Sequence, residues 1–318
     1  MALFILFLLL NIYMLQVKNI FFSYQKTKVL KNISFSISSG ENLSIIGESG
    51  SGKSTLLKLI YGEYDLDEGS IQWKNNSILG PSHNLVIGYP FMKYVAQEFD
   101  LMPYITVEEN IGKYLSNFYP EEKQKRIKEL IEVVELTEFA KTKVQYLSGG
   151  QKQRVALARA IALQPEIILL DEPFSHIDNF KKQSLRRNLF NYLKAHSITC
   201  IVATHDKNDV LSFSDKMIVL SKGKIIACEK PKTLYNNPKS PIIASFFGEF
   251  NVIEPYGILY AHQIQLVECS NLKATVKKSY YYGNYYLVEA ILNNETVFFE
   301  TSSSLKNNQE VCLKISKN

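Results

Sequence analysis

The sequence LSIIGESGSGKSTLLKLI, residues 43–60, joins an apolar run, a glycine-rich loop and a second apolar run. The first run, Leu43–Ile46, has the length and composition of a buried strand, and the second, Leu56–Ile60, indicates the first turns of a helix. A strand, a loop of the pattern G-x-x-x-x-G-K-S/T and a helix form the context in which that pattern binds phosphate. The sequence therefore predicts a site for a nucleoside triphosphate.

The residues of the loop have different expected roles in the predicted site. Glycines let the backbone turn its N–H groups inward, and the N-terminus of the following helix favours anions. Lys53 is expected to reach the β- and γ-phosphates, and the Ser54 hydroxyl is expected to ligate Mg²⁺. The predicted nucleotide-binding residues of the loop are Gly47, Glu48, Ser49, Gly50, Ser51, Gly52, Lys53, Ser54 and Thr55.

Length and composition limit the class of protein. The 318 residues suggest two domains, and the net charge of +5 includes no block of like charges that would indicate a nucleic-acid tail. The four cysteines, at positions 200, 228, 269 and 312, are scattered and form no C-x-x-C pair. They favour buried thiols in a reducing compartment over a disulfide framework or a zinc site.

The N-terminus begins with an uncharged apolar run, Leu3–Leu10, with no preceding Lys or Arg. The run is shorter than the ~20 residues that span a bilayer and lacks the basic segment of a secretory signal. Two interpretations remain for residues 1–13: a prefix that contacts a membrane, or an upstream extension with Met14 opening the true chain. We favour the second.

Further polar residues follow predicted strands or open helices. Gln97 follows the strand-like segment Tyr94–Ala96, and Leu147-Ser148-Gly149-Gly150-Gln151 opens a helix with Ser148 as a good N-cap. The run Ile167–Leu170 leads into two carboxylates, Asp171 and Glu172, and another strand, Ile201–Ala203, is followed by Thr204 and His205. Ligands bind at such strand ends in open α/β sheets.

GESGSGKST, Gln97, LSGGQ, ILLDEP and His205, in this order, closely resemble the ATP-binding subunits of ABC transporters from about Leu15 to Ser245. The resemblance implies an α/β fold for residues 14–245. In that fold a phosphate-loop ABC ATPase domain combines a mixed sheet core with a helical subdomain at about 98–165. Predicted helices in this subdomain are Val107–Ile111 and the charged stretch Glu121–Glu138.

The resemblance also implies roles for individual residues. Tyr24 is expected to stack on adenine, and Lys53, Gln97, Glu172 and His205 are expected to form the catalytic set, with Glu172 as general base. Mg²⁺ is assigned to Ser54, Gln97 and Asp171. The signature residues Leu147, Ser148, Gly149, Gly150 and Gln151 are expected to complete the site of a second copy in a homodimer. Asp178 belongs to the D-loop, Ser175–Asp178, which departs from the usual pattern at His176.

Residues 246–318 alternate in short strands and resemble the TOBE domain, a small all-β, OB-like domain of some importer ATPases. The tyrosines Tyr280-Tyr281-Tyr282, next to two lysines, offer an alternative as a base-stacking surface. We prefer strand packing, because this tail contains no arginine and its lysines are balanced by acidic residues. No nucleic-acid partner is expected.

The function implied is ATP hydrolysis that energises a binding-protein-dependent importer at the cytoplasmic face of the inner membrane. ATP and Mg²⁺ are the expected cofactors, and the permease and the solute-binding protein are expected to be separate chains. The single short β tail suggests iron(III) or a polyamine as cargo. The alternatives are an exporter or lipid-extraction subunit and a non-transport ABC ATPase.

Overall fold

The computed structural model of the protein describes residues 13–316, which divide into two compact units at the Pro231–Lys232 bond. The predicted N-terminal prefix, residues 1–13, lies outside the described residues apart from the backbone of Tyr13. The predicted domain boundary lies farther along the chain, after Ser245. In the structure Tyr235 packs against Phe247 and Tyr260, so the chain that precedes this boundary already belongs to the second unit.

The first unit contains two sheets and six α-helices within its described residues. Its strands are β1 (Tyr13–Tyr24), β2 (Thr27–Ser38), β3 (Asn42–Ile46), β4 (Glu68–Trp73), β5 (Asn76–Ser77), β6 (Met92–Val95), β7 (Ile167–Asp171), β8 (Thr199–Ala203), β9 (Lys216–Ser221) and β10 (Lys224–Glu229). Its helices are α1 (Lys53–Tyr61), α2 (Val107–Gly112), α3 (Pro120–Val133), α4 (Gly149–Ile161), α5 (Asn179–Ala195) and α6 (Lys207–Phe213).

The larger sheet has the strand order β10-β9-β3-β8-β7-β6. The strands β9, β3, β8, β7 and β6 run parallel, and β10 pairs antiparallel with β9 through a hairpin. The smaller sheet, β2-β1-β4-β5, is antiparallel. The predicted mixed α/β sheet is therefore confirmed.

The central parallel strands are buried on both faces, and their side chains divide between two hydrophobic cores. In β7, Ile167 and Leu169 pack into the core shared with α1 and the antiparallel sheet. The alternate residues Ile168 and Leu170 pack into the core shared with α3, α4 and α5. This alternation is the period of two of a strand, and burial on both faces explains why these strands are almost wholly apolar.

The helical subdomain is built from α2, α3 and α4. Thr106 caps α2 through a capping box with Glu109. The sequence predicted helix from Glu121 to Glu138, but α3 ends at Val133. Glu135 adopts a left-handed backbone with φ 55°, and Leu136 N–H donates to Ile131 O at 2.9 Å. This turn ends the helix, because a left-handed residue reverses the chain direction.

Two short helices follow, α7 (Pro231–Asn236), which belongs to the second unit from its second residue on, and α8 (Pro241–Phe247). A two-stranded sheet and a five-stranded antiparallel sheet of order β13-β17-β14-β15-β16 follow, which confirms the predicted all-β tail. Its strands are β11 (Phe250–Ile253), β12 (Gly257–Tyr260), β13 (Ile264–Val267), β14 (Leu272–Tyr281), β15 (Tyr286–Leu292), β16 (Glu295–Thr301) and β17 (Glu310–Ile315).

The second unit has its own hydrophobic core, with the ring of Phe299 fully buried at its centre. The buried amide of Asn251 joins β11 to β16 by donating to Phe298 O at 2.7 Å and accepting from Phe298 N at 2.6 Å. Across residues 13–316, no helix combines the length and apolar character that crossing a membrane requires.

We expect Leu169→Ala to destabilise the first unit by about 2–5 kcal/mol, because Leu169 is fully buried and its truncation leaves a cavity in the core. Trp73, the only tryptophan of the chain, lies in the first unit and reports its unfolding by fluorescence in urea. The matched control is Leu85→Ala, at a fully exposed leucine, with an expected change within about 0.5 kcal/mol. Equal midpoints for the two variants would contradict the assignment of Leu169 to the core.

Candidate functional site

The glycine-rich loop connects β3 to α1 and is shaped by two close approaches. A Cβ added to Gly47 would lie 2.1 Å from the backbone oxygen of Leu220, so only glycine fits there. Gly52 is the N-cap of α1 with φ 107°, a conformation that side chains disfavour. The ammonium of Lys53 donates to the carbonyls of Gly47 at 2.8 Å and Glu48 at 3.0 Å. The loop thus curls around the lysine at the helix N-terminus.

A cleft of 620 Å³, called here the nucleotide cleft, opens beside this loop. It brings together residues from distant parts of the first unit: the loop, the facing ends of β1 and β2, Gln97, and the segments that follow β7 and β8. The cleft is lined by Tyr24, Val29, Gly47, Ser49, Gly50, Gly52, Lys53, Ser54, Thr55, Gln97, Asp171, Glu172, Ser175 and His205.

Some predicted site residues lie outside this lining. Ser51 is buried within the loop, and Glu48 takes part through its backbone carbonyl. The signature segment, residues 147–151, and Asp178 do not line the cleft of their own chain. Within one chain the signature segment and Asp178 are therefore absent from the cleft lining, although Ser175 of the D-loop belongs to it.

Asp171 is the last residue of β7 and is buried to 5 % exposure. The hydroxyl of Tyr94, from the neighbouring strand β6, donates to the Asp171 carboxylate at 3.3 Å. Burial and the negative charge of Asp171 both raise the pKa of Tyr94, so the phenol stays protonated as a donor. This hydrogen bond orients the Asp171 carboxylate and involves one of its two oxygens.

Glu172 follows at once and faces His205 across the ends of β7 and β8. The Nδ1 atom of His205 lies 2.9 Å and 2.8 Å from the two carboxylate oxygens of Glu172. Glu172 has a left-handed backbone with φ 51°, and its N–H donates to Ala203 O at 2.9 Å. A carboxylate next to a histidine at strand ends is an arrangement suited to positioning a water molecule.

A buried ionic cluster contacts Thr204 and Asp206, the residues on either side of His205. The guanidinium of Arg186, on α5, is 1 % exposed and forms ion pairs with Asp206 and Asp209. The hydroxyl of Thr204 donates to Asp209 at 2.7 Å and accepts from the N–H of Asp206 at 3.0 Å. His205 lies between Thr204 and Asp206, so this cluster fixes the backbone on both of its sides.

Burial raises the pKa of Asp209 from 3.8 to about 6, against the opposing charge of Arg186. The pKa of Asp206 is lowered, because hydrogen bonds from Asn208 N–H and Arg186 outweigh its partial burial. Both carboxylates pair with the same guanidinium, but their pKa values differ. Asp206 therefore stays negatively charged to a lower pH than Asp209.

Tyr24 stands at the edge of the nucleotide cleft. Its ring packs edge-on against Phe22 at 4.8 Å and Tyr64 at 5.4 Å between centroids, and the residue is 41 % exposed. Its hydroxyl lies 3.5 Å from Thr55 Oγ1. Two ring edges thus support an aromatic side chain that keeps surface available to a flat ligand, as stacking requires.

The signature segment opens α4 as the sequence predicted. Ser148 is the N-cap, its hydroxyl accepts from Gln151 N–H at 3.3 Å, and the Gln151 side chain accepts from Ser148 N–H at 2.8 Å. Leu147 is buried and anchors the segment, while Gly149 has open space around its Cα. The helix N-terminus is thus accessible on the molecular surface, where it favours an anion.

The residues of the cleft fit a nucleotide with a bound magnesium ion. Two features fit the loop to phosphate. No side chain has room at Gly47, and the N-terminus of α1, with the positive end of its helix dipole, faces the cleft. Ser54, Gln97 and Asp171 line the same cleft and offer hydroxyl, amide and carboxylate oxygens, the donors that Mg²⁺ prefers.

Several residues that support the site were not predicted from the sequence. Tyr94, Gln153, Arg186 and Asp209 are polar residues that contact the functional segments while being largely buried. Gln153 and Arg186 lie on helices, where an isolated polar residue usually indicates a solvated face. No pattern along the chain distinguishes them, because their partners lie far away in sequence.

The comparisons of this chain with known proteins agree on one family. The family model described as "ABC transporter" matches residues 30–175. An Fe(3+) ions import ATP-binding protein of Haemophilus influenzae is 38 % identical over 253 residues, which cover 79 % of this chain and 71 % of that protein. A spermidine/putrescine import ATP-binding protein of Bacillus cereus is 34 % identical over 272 residues, covering 85 % of this chain and 82 % of that protein.

Solved structures agree with these relatives. A dimeric post-hydrolysis state of an ATP-binding cassette bound to ADP and Pi has a TM-score of 0.61 and 33 % sequence identity to this chain. The similarity covers 69 % of this chain and 99 % of that cassette. A nucleotide-free ATP-binding cassette from an ABC transporter has a TM-score of 0.60 and 26 % identity, covering 74 % of this chain and 98 % of that one.

The raised pKa of Asp209 makes the stability of the first unit depend on pH. The folded protein binds this proton more tightly than the unfolded chain, so Asp209 contributes stability that is complete below about pH 4 and is lost as the pH rises through about 6. Asp209→Asn removes the titration. The unfolding free energy of the variant minus that of the wild type should therefore rise by up to about 3 kcal/mol from about pH 4 to about pH 7.

Urea unfolding of both proteins across this pH range, followed by Trp73 fluorescence, measures that difference. The subtraction cancels the titration of all other groups that the substitution leaves unchanged. A difference that stays flat or falls with pH would contradict the burial effect on Asp209.

Proposed function

This chain belongs to the ABC transporter family as an ATP-hydrolysing subunit of an import system, and we propose here which residues carry the reaction and what it drives. The observation that carries the proposal is the Glu172–His205 contact of 2.8–2.9 Å, which shares one cleft with Lys53 and the glycine-rich loop. A base, a histidine and a phosphate-binding loop in one cleft are the parts that hydrolysis of a γ-phosphate requires.

We assign nucleotide binding to Tyr24 and to the loop residues 47–55. Tyr24 receives the adenine on its exposed ring, and the loop N–H groups and the Lys53 ammonium hold the β- and γ-phosphates. Ser54, Gln97 and Asp171 hold Mg²⁺, which supplies charge neutralisation at the phosphates when bound.

Glu172 acts as the general base in this proposal. It accepts a proton from water as the water oxygen attacks the γ-phosphorus, and the bond between that phosphorus and the bridging oxygen of ADP breaks. The leaving ADP keeps the electron pair of the broken bond, and the products are ADP and inorganic phosphate. His205 fixes the Glu172 carboxylate and contacts the γ-phosphate side of the cleft.

A second copy of the chain completes each site. The signature residues Leu147–Gln151 lie outside the cleft of their own chain, and the N-terminus of α4 is open on the surface. We infer that Ser148 and Gly150 bind the γ-phosphate held by the partner copy, with Asp178 at the contact between copies. Both sites of such a homodimer are equivalent.

A groove of 340 Å³ lies beside the nucleotide cleft and is proposed to receive the membrane permease, a separate chain. It is lined by Ala96 and Glu98, the two neighbours of Gln97, and by Tyr94, whose hydroxyl contacts Asp171. A segment seated there touches both sides of Gln97. A movement of the bound segment is therefore transmitted to the cleft through Gln97, which lies between Ala96 and Glu98.

Iron(III) or a polyamine is the proposed cargo, brought by a solute-binding protein. The proposal is supported by relatives that are named as import ATP-binding proteins for Fe(3+) ions and for spermidine/putrescine. A third relative, from Vibrio cholerae, is named for sulfate/thiosulfate and is 37 % identical over 74 % of this chain. Docking to a permease places the chain at the cytoplasmic face of the membrane.

We expect Glu172→Gln to lower the ATPase rate of the purified chain by about 100- to 10,000-fold, because the variant cannot accept a proton from water. With ATP and Mg²⁺ the same variant should elute as a dimer in size-exclusion chromatography, since binding persists without hydrolysis. The matched control is Glu129→Gln, at a half-exposed carboxylate on α3, with wild-type activity expected. Wild-type hydrolysis by Glu172→Gln would refute the assignment of the base.

We expect Leu163→Glu to abolish transport while leaving the ATPase activity of the purified chain unchanged. Leu163 lies just after the end of α4, is 47 % exposed and lines the proposed permease groove, so a charge there blocks an apolar contact without disturbing the buried core. The measurement is uptake of labelled iron(III), spermidine, putrescine and sulfate in the host lacking this gene, complemented by wild type, Leu163→Glu or Glu172→Gln.

Wild type should restore uptake of iron(III) or of the polyamines, and neither variant should restore it. Restoration of sulfate uptake alone would contradict the cargo proposal. Full uptake with Leu163→Glu would contradict the groove as the permease contact.

A further inference from the structure

The side chain of Gln153, on the second turn of α4, forms a buried bridge between two backbone segments of the site. The residue is 1 % exposed. Its Nε2 donates to the backbone oxygen of Glu172 at 3.0 Å, and its Oε1 accepts from the backbone N–H of His176 at 3.2 Å. A buried amide with both ends used is costly to replace, because each lost partner leaves an unsatisfied polar group.

The segment that Gln153 holds is conformationally unusual. Glu172 has φ 51°, which residues with a Cβ adopt at an energetic cost unless their surroundings enforce it. The hydrogen bonds around its peptide do so: its N–H donates to Ala203, and its carbonyl accepts from Gln153 and from the Ser175 hydroxyl at 3.0 Å. The backbone direction at Glu172 decides where its carboxylate points.

The start of α4 lies directly against the same loop. A Cβ added to Gly150 would lie 2.6 Å from the backbone oxygen of His176. This contact places α4 close enough for the Gln153 amide to reach both Glu172 and His176. The helix that carries the signature segment thus contacts the loop after the base at two points one turn apart.

We propose that Gln153 is a positioning residue, which holds the Glu172 peptide so that its carboxylate meets His205 and the attacking water. It does not line the nucleotide cleft, so it acts on the reaction only through Glu172. This inference rests on the proposed role of Glu172 as the base. It adds that the signature helix of each chain supports the base of that same chain.

The test is Gln153→Met, which keeps the length of the side chain and removes both hydrogen bonds. We expect kcat for ATP hydrolysis to fall about 10- to 100-fold, the size of effect of a lost buried hydrogen bond expressed in the transition state. KM for ATP should stay within about twofold, because the cleft lining is unchanged. Gln153→Asn, one methylene too short to span both partners, should lower kcat in the same direction.

Two readouts separate positioning from a loss of structure. In the Glu172→Gln background, Gln153→Met should cause no further loss of the residual rate, because its target group is already absent. The double variant should still form the ATP-dependent dimer that Glu172→Gln forms in size-exclusion chromatography.

Arg154→Met is the matched control on the same helix. Arg154 is 5 % exposed and donates to the carbonyls of Val134 and Glu135, away from the cleft. We expect this variant to melt at a lower temperature and to keep wild-type kcat below that temperature.

The outcomes separate the two hypotheses. An unchanged kcat in folded Gln153→Met and Gln153→Asn, with Glu172→Gln inactive, would overturn the positioning role and leave the proposed base in place. Multiplying effects in the double variant, or loss of the ATP-dependent dimer, would also overturn it. Normal hydrolysis by Glu172→Gln would instead refute the base itself.

Discussion

The structure of the first unit depends on burying the parallel strands β3, β7 and β8 on both faces. The strands β7 and β8 place alternate side chains into two cores, and β3 places Leu43 and Ile45 into one of them, so both faces of the sheet must be covered by other elements. On one face the cover is α1 with the antiparallel sheet, and on the other it is α4 and α5 with the helical subdomain. The register pairs Asp171 with Ala203, so the strands end at the same level. That shared edge is where the loop, Glu172 and His205 meet.

The helices that cover the second face also supply the polar groups that hold the edge where Glu172 and His205 meet. Gln153 on α4 reaches the peptide of Glu172, and Arg186 on α5 reaches the carboxylates on either side of the His205 segment. Both side chains are almost wholly buried, where hydrogen bonds and ion pairs are strong if satisfied and costly if broken. The same two helices therefore cover the sheet and hold the Glu172 and His205 segments in place.

The two compact units divide the protein into a part that holds the proposed ATP chemistry and a part with a separate core. All residues that line the nucleotide cleft precede residue 231. The second unit is closed around Phe299, and Asn251 ties its first strand to β16 by a pair of backbone contacts. The nucleotide cleft therefore lies wholly within the first unit.

The sequence alone determined the strand, loop and helix around Lys53, the N-cap at Ser148, and the carboxylates and histidine at strand ends. Each of these depends on neighbours within a few residues: glycine conformation, capping and the termination of apolar runs are local properties. The tertiary structure decided the rest. It ended α3 at Val133 through a left-handed Glu135, and it turned Gln153 and Arg186 inward although both lie on helices with solvated faces. Their partners are distant in sequence, and only the folded packing brings a buried donor to the acceptor that makes its burial favourable.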